Sequence, residues 1–136
     1  MLKKIDHIAI AVKDLNEAAR FYQDVLGLTL SGVEVVAEQK TKVGFFKLGD
    51  SNIELVQPAE PGSPIEKFLD TRGPGIHHVC FEVDDIEAEI KAYLEKGAVM
   101  IDPQPRTGAH GSKVAFVHPK SSNGVLIELV EPSKNK

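Results

Sequence analysis

The stretch HIAIAVKDLNEAARFYQDVLGL, residues 7–28, decides the fold because the chain says it twice: residues 78–98 read HVCFEVDDIEAEIKAYLEKGA. His78 follows His7 by 71 positions, and at that offset Val12 meets Val83, Asp14 meets Asp85 and Tyr22 meets Tyr93. Ile8, Ile10 and Leu15 meet Val79, Phe81 and Ile86, so the apolar register repeats too. A second pair, IELVQP at 53–58 and IELVEP at 127–132, is offset by 74. A short loop insertion around Ser121–Gly124 accounts for the change. Two matches in the same order mark an internal duplication.

Each repeat opens as a strand. His7, Ala9 and Ala11 alternate with Ile8, Ile10 and Val12, and His78, Cys80 and Glu82 alternate with Val79, Phe81 and Val83. A helix follows each. Asp14 with Glu17, and Asp84 with Glu87, fit capping boxes. Leu15, Ala18, Ala19, Tyr22 and Leu26 recur at helical spacing, and Gly27 and Gly97 read as stops. The segments VEVVAE, KVGFFKLG, NIELVQP, KVAFVHP and VLIELVEP read as further strands. The expected architecture is α+β: two tandem βαβββ modules, one over about 5–58 and one over about 76–131. Between them, about 59–75, lies a Pro- and Gly-rich connector. Ser63, Pro64 and Glu66 predict one short helix in it, ending near Arg72. Neither module alone is large enough to bury a useful core, so the expectation is a single domain over 1–136.

Composition narrows the function classes. Sixteen Lys and Arg against 20 Asp and Glu give a net charge of −4, which argues against a nucleic-acid binder. No apolar run approaches the ~20 residues that span a bilayer, and MLKKIDHIAI does not read as a secretory signal. The single cysteine, Cys80, excludes an internal disulfide and a multi-cysteine zinc site. A cytoplasmic protein is the expectation.

The repeat also selects chemistry. His7 and His78 occupy equivalent positions, and so do Glu54 and Glu128; all four sit in strands among apolar residues. A lone Glu in such a strand is more often a solvent-facing residue, and a lone His is as often a satisfied core residue. Duplication changes that balance, because residues related by a pseudo-twofold axis can converge near it. Two imidazoles and two carboxylates form a set suited to Co²⁺, Mn²⁺, Zn²⁺ or Ni²⁺, with two octahedral positions left open. Ala9 and Ala11, on the His7 face, leave room for a cavity.

These residues resemble the vicinal oxygen chelate superfamily, over nearly the whole chain from Ile5 to Glu131. Within it, IDHIAIAVKDL, GIHHVCFEVDDI, RTGAHGSKVAFVHPK and HPKSSNGVLIELV are similar to the methylmalonyl-CoA epimerases. The resemblance implies a cupped, open, eight-stranded barrel around a metal site. It implies His7, His78 and Glu128 as ligands of one divalent metal ion, Co²⁺ first, with Glu54 as the fourth. It implies an isomerase that epimerises methylmalonyl-CoA at C2 by proton abstraction through a metal-stabilised enolate, with Glu128 as one base. Relatives commonly dimerise, so a homodimer is expected. Two alternatives share the scaffold: a glyoxalase I-like lactoylglutathione lyase, against which HPKSSNG speaks, and a non-catalytic small-molecule-binding protein.

One departure stands out. The family's second base is a Glu four residues after the Gln of an E-Q pair; here that pair is Glu38-Gln39, and the fourth residue on is Val43. Glu54 is the candidate to replace it, giving Glu54 and Glu128 as catalytic residues, one for each face of C2. His110, in the loop TGAHGSK, and Lys113 are weaker candidates for substrate contact.

Overall fold

The computed structural model describes residues 1–134. Among these, the elements run β1 (Leu2–Ala11), α1 (Leu15–Arg20), β2 (Leu30–Val36), β3 (Thr41–Leu48), β4 (Ser51–Pro58), α2 (Pro64–Arg72), β5 (Gly75–Val83), α3 (Ile86–Glu95), β6 (Arg106–Thr107), β7 (Lys113–Val117) and β8 (Ile127–Glu131). The chain divides into two compact units. One runs from His7 to His77. The other begins at His78 and takes in Met1–Asp6 as well. Charge helps to tie those six residues to it: Lys3 Nζ lies 3.1 Å from Asp84 and 3.9 Å from Glu82, and the Met1 amino group meets the Glu89 carboxylate.

In the His7–His77 unit the strand order is β2-β3-β4-β1. β1 pairs with β4 in parallel, and β2, β3 and β4 form an antiparallel meander. The alternation along β1 holds: His7, Ala9 and Ala11 are buried on one face. Residues opposite each other across a ladder share a face, so Ala9, Glu54, Phe45 and Gly32 form one row across it. The other face packs under α1, where Leu15, Phe46 and Leu55 are wholly buried with Ile10, Tyr22 and Ile53 around them. Truncating any of those three large side chains to Ala costs ~2–5 kcal/mol.

Asp14 caps α1, its Oδ1 accepting from Glu17 N at 3.1 Å. After Arg20 the helix widens into a π-helical turn, Phe21–Val25, and Leu26 N donates to the Phe21 carbonyl five residues back. The cause lies in the repeat. Five positions separate Tyr22 from Gly27, but only four separate Tyr93 from Gly97. The wide turn absorbs the extra residue, which keeps Tyr22 on the core and still delivers the chain to Gly27. Both glycines adopt the positive φ of a helix stop. In the connector, α2 starts as expected, with Ser63 Oγ accepting from Ile65 N and Pro64 at the first helical position.

The second unit repeats the plan, ordered β5-β8-β7-β6, with β5 parallel to β8 and the rest antiparallel. Its helix-side core holds Val83, Ile86, Ile90, Ala115 and Leu129. Two details differ from expectation. The cap of α3 is Asp85 rather than Asp84: Asp85 is extended (φ −138°, ψ 98°) and its Oδ1 accepts from Ala88 N, while Asp84 turns out to Lys3. The counterpart of β2 is reduced to two residues, β6. The offset changes from 71 to 74 between β7 and β8. Residues 118–126 there, including the 3₁₀ turn Pro119–Ser121, replace the tight link at 49–50 between β3 and β4.

Candidate active site

Each unit buries one imidazole against one carboxylate. His7 Nδ1 lies 3.0 Å from Glu54 Oε2, and His78 Nε2 lies 2.8 Å from Glu128 Oε1. All four residues are at most 7% exposed. Strand register makes each pair. Glu54 stands beside Ala9, two residues along from His7, and the Ala9 methyl leaves the histidine free to lean across. Cys80 takes the same place beside Glu128. Phe116, opposite Glu128 on β7, meets the His78 ring edge-on at 5.3 Å. A carboxylate out of water is costly unless it is paired or binds a cation.

The donor set fits a divalent metal. Imidazole nitrogen and carboxylate oxygen are the ligands that Co²⁺, Mn²⁺, Zn²⁺ and Ni²⁺ share, and both His–Glu pairs are buried. The strands that carry them are themselves fixed to the helices. Leu15 N, at the start of α1, donates to Gln57 Oε1 at 2.8 Å, and Ile86 N, at the start of α3, donates to Glu131 Oε1 at 3.1 Å. Gln57 and Glu131 are repeat equivalents, three residues after the buried glutamates. Sequence reasoning missed them, although both lie inside IELVQP and IELVEP.

Residues 6–116 match the family model described as the glyoxalase/bleomycin resistance protein/dioxygenase superfamily. The chain belongs to that superfamily. Among superfamily members it is 45% identical over 130 residues to a mitochondrial methylmalonyl-CoA epimerase of Dictyostelium discoideum, covering 94% of this chain and 78% of that one. It is 42% identical over 131 residues to an ethylmalonyl-CoA/methylmalonyl-CoA epimerase of Cereibacter sphaeroides, covering 95% and 98%. A solved structure of a methylmalonyl-CoA epimerase in complex with methylmalonyl-CoA and NH4+ superimposes with a TM-score of 0.95 at 34% identity, covering 98% of this chain and 97% of that one. The fold is thus the eight-stranded, doubled βαβββ fold of the superfamily.

The remaining candidates fall in different places. Val43 is buried on the face that carries Glu54, two residues from the position opposite it. His110 is exposed in a short turn, Ala109–Gly111, with positive φ. That loop is tight: a Cβ on Gly108 would come within 2.6 Å of a Val114 methyl. Lys113 pairs with Glu131, so it lies on the face of β7 opposite Phe116 and the His78–Glu128 pair. His77 turns away from His78 and meets Phe68 of α2 edge-on at 4.9 Å. Among the described residues, no helix is long and apolar enough to cross a membrane.

Proposed function

We propose that this chain is a metal-dependent epimerase acting at C2 of methylmalonyl-CoA. The observation that carries the reading is the buried His–Glu pair in each unit of a chain similar, over almost its whole length, to methylmalonyl-CoA epimerases. His7, Glu54, His78 and Glu128 hold one divalent ion, cobalt before manganese, zinc or nickel. When bound, the ion supplies Lewis acidity, which stabilises the negative charge that the substrate gains as C2 loses its proton.

The rest falls to the chain. Inversion requires a proton to leave one face of C2 and another to arrive on the opposite face. Glu128 takes the proton on one side at a carboxylate oxygen. Glu54, the matching residue of the other module, starts as the protonated acid and returns its carboxyl proton on the other side, becoming the carboxylate. Val43 offers no proton, which is why the second transfer is assigned to Glu54, with Glu38 or a water as the alternative that the Glu54→Gln variant separates. The burial of Glu54 and Glu128 keeps bulk water from competing for the proton. A cytoplasmic homodimer completes the proposal; it draws on the lone cysteine and on the habit of relatives.

Incubation with Co²⁺ and methylmalonyl-CoA in deuterated water tests the reaction. Deuterium enters C2 and the epimers interconvert with no redox cofactor. Absence of deuterium, with rapid conversion of a glutathione hemithioacetal, would transfer the chain to the lactoylglutathione lyases. The Glu54→Gln variant tests the proton role, because the amide still offers an oxygen to the ion. It retains metal and loses at least ~100-fold in epimerisation. Turnover near the parent rate would place the second base elsewhere.

A further inference from the structure

We infer that Arg106 is an oxyanion clamp on the face of the second unit that carries His78 and Glu128, binding a carboxylate or phosphate group of an acyl-CoA substrate. The inference rests on the proposed function for its ligand, and on the following geometry for its place.

Arg106 stands opposite Val114 on β7, and Val114 stands opposite Val130 on β8, two residues along from Glu128. Ladder partners share a face, and Phe116, in contact with the His78 ring, lies on that same face. Cys80, Val114 and Val130 form its apolar floor, while α3 covers the opposite side with Ile86, Ile90 and Leu129. Arg106 therefore lies on the face that holds the His78–Glu128 pair, in the neighbouring row of side chains.

Its guanidinium is oriented before any ligand arrives. Arg106 Nε lies 3.1 Å from Asp102 Oδ1, and Asp102 Oδ2 accepts from Phe116 N at 2.9 Å. Asp102 is only 9% exposed and its backbone N–H bonds the Phe116 carbonyl, so the carboxylate is fixed to β7. An ordinary surface ion pair, with two flexible partners, is worth little. Here one partner is buried and pinned. Because Nε faces Asp102, the two terminal amino groups form the outer edge of the fork, the edge that grips carboxylate or phosphate in bidentate fashion. The Arg106 side chain is 40% exposed, open enough to be reached.

The positive charge is not a demand of the fold. In the first unit the residue opposite Val43, the counterpart of Val114, is Glu34. One module carries an acid where the other carries a base. A chain of net charge −4 that receives a substrate bearing a carboxylate and several phosphates needs a local cation. Lys113, on the helix-side face, does not supply it there.

The test is titration of purified protein with two probes. Free CoA has the phosphates without the acyl carboxylate; the N-acetylcysteamine thioester of methylmalonate has the carboxylate without the phosphates. Arg106→Met weakens binding of one probe by ~10–100-fold, the range for a charge-assisted pair, and the probe affected names the group held. Arg106→Lys falls between, because it keeps the charge and loses the fork. Parent affinity for that probe declines with salt more steeply than that of Arg106→Met. Melting curves establish that both variants are folded. Both variants binding both probes as the parent does would overturn the inference and leave the epimerase reading intact. A parent that binds neither probe would overturn the acyl-CoA reading and this inference with it.

Discussion

Two glutamates and two histidines are withdrawn from water here, and each glutamate has an imidazole as its close neighbour. Replacing His78 with Ala leaves Glu128 buried beside an empty space. On the proposed ligand set, bound metal and turnover should fall together, and elemental analysis of the purified variant reads the first directly. Unchanged metal content would remove His78 from the ligand set. These four residues were legible in the sequence as two matched pairs, His7 with His78 and Glu54 with Glu128. Arg106 was legible only as one basic residue among several, with Lys113 and Lys120, that could meet CoA phosphates; its partnership with Asp102 was not. Their partnership depends on a two-residue strand reached through residues 98–105, which carry no periodic signal, and on a backbone N–H that no side-chain pattern announces. The departure at Val43 was legible as an absence, and the structure adds where that absence lies: on the Glu54 face.

Both modules start their helices in the same way. A strand side chain, Gln57 or Glu131, accepts from the first helical N–H, and an aspartate caps the turn. The free N–H groups of a helix start are costly to leave unmet, and losing such an acceptor typically costs ~1 kcal/mol. Gln57→Ala should therefore lower the melting temperature by about 3–5 °C, and Gln57→Glu should restore most of the loss, because a carboxylate already does this work at Glu131. A melting temperature equal to the parent's would show that water replaces the amide at no cost. The helices and most strands could be read from periodicity, since their faces alternate apolar and polar. The cap of α3 was displaced by one residue because Asp84 and Asp85 are adjacent and chemically alike. The repeat register, which sets the cap Asp14 against Asp85, separates them, and in the structure Asp84 turns to Lys3 instead. The π-helical turn escaped for another reason: a pattern search at 3.6 residues per turn has no place for a turn that holds one residue more.

Across the whole molecule, alkaline stability has an identifiable contributor. The Tyr93 hydroxyl is pushed up to about 12, chiefly by burial and then by its hydrogen bond with Glu89. The unfolded chain loses that proton near the ordinary value of 10. The contribution is thus complete below pH 10 and is lost as pH rises through about 12. Urea unfolding of parent and Tyr93→Phe should show the parent losing its advantage across that window; parallel pH profiles would exclude Tyr93 as the source. At this scale the duplication was plain, because it is written in the order of residues. The allocation of Met1–Asp6 to the unit that begins at His78 was not, since it depends on carboxylates some 80 positions downstream. That allocation has a consequence for a chain made from one end. Residues 1–6 leave the ribosome before any of the rest, yet Glu82, Asp84 and Glu89 follow only after ~4–16 s at ordinary rates of synthesis. The lower half of β1 can pair with β4 as soon as Asn52–Val56 emerge, whereas its opening residues wait for a unit not yet translated. Residues 1–6 are thus made early and secured late: until the segment from His78 onward emerges, they have no Glu82, Asp84 or Glu89 to meet.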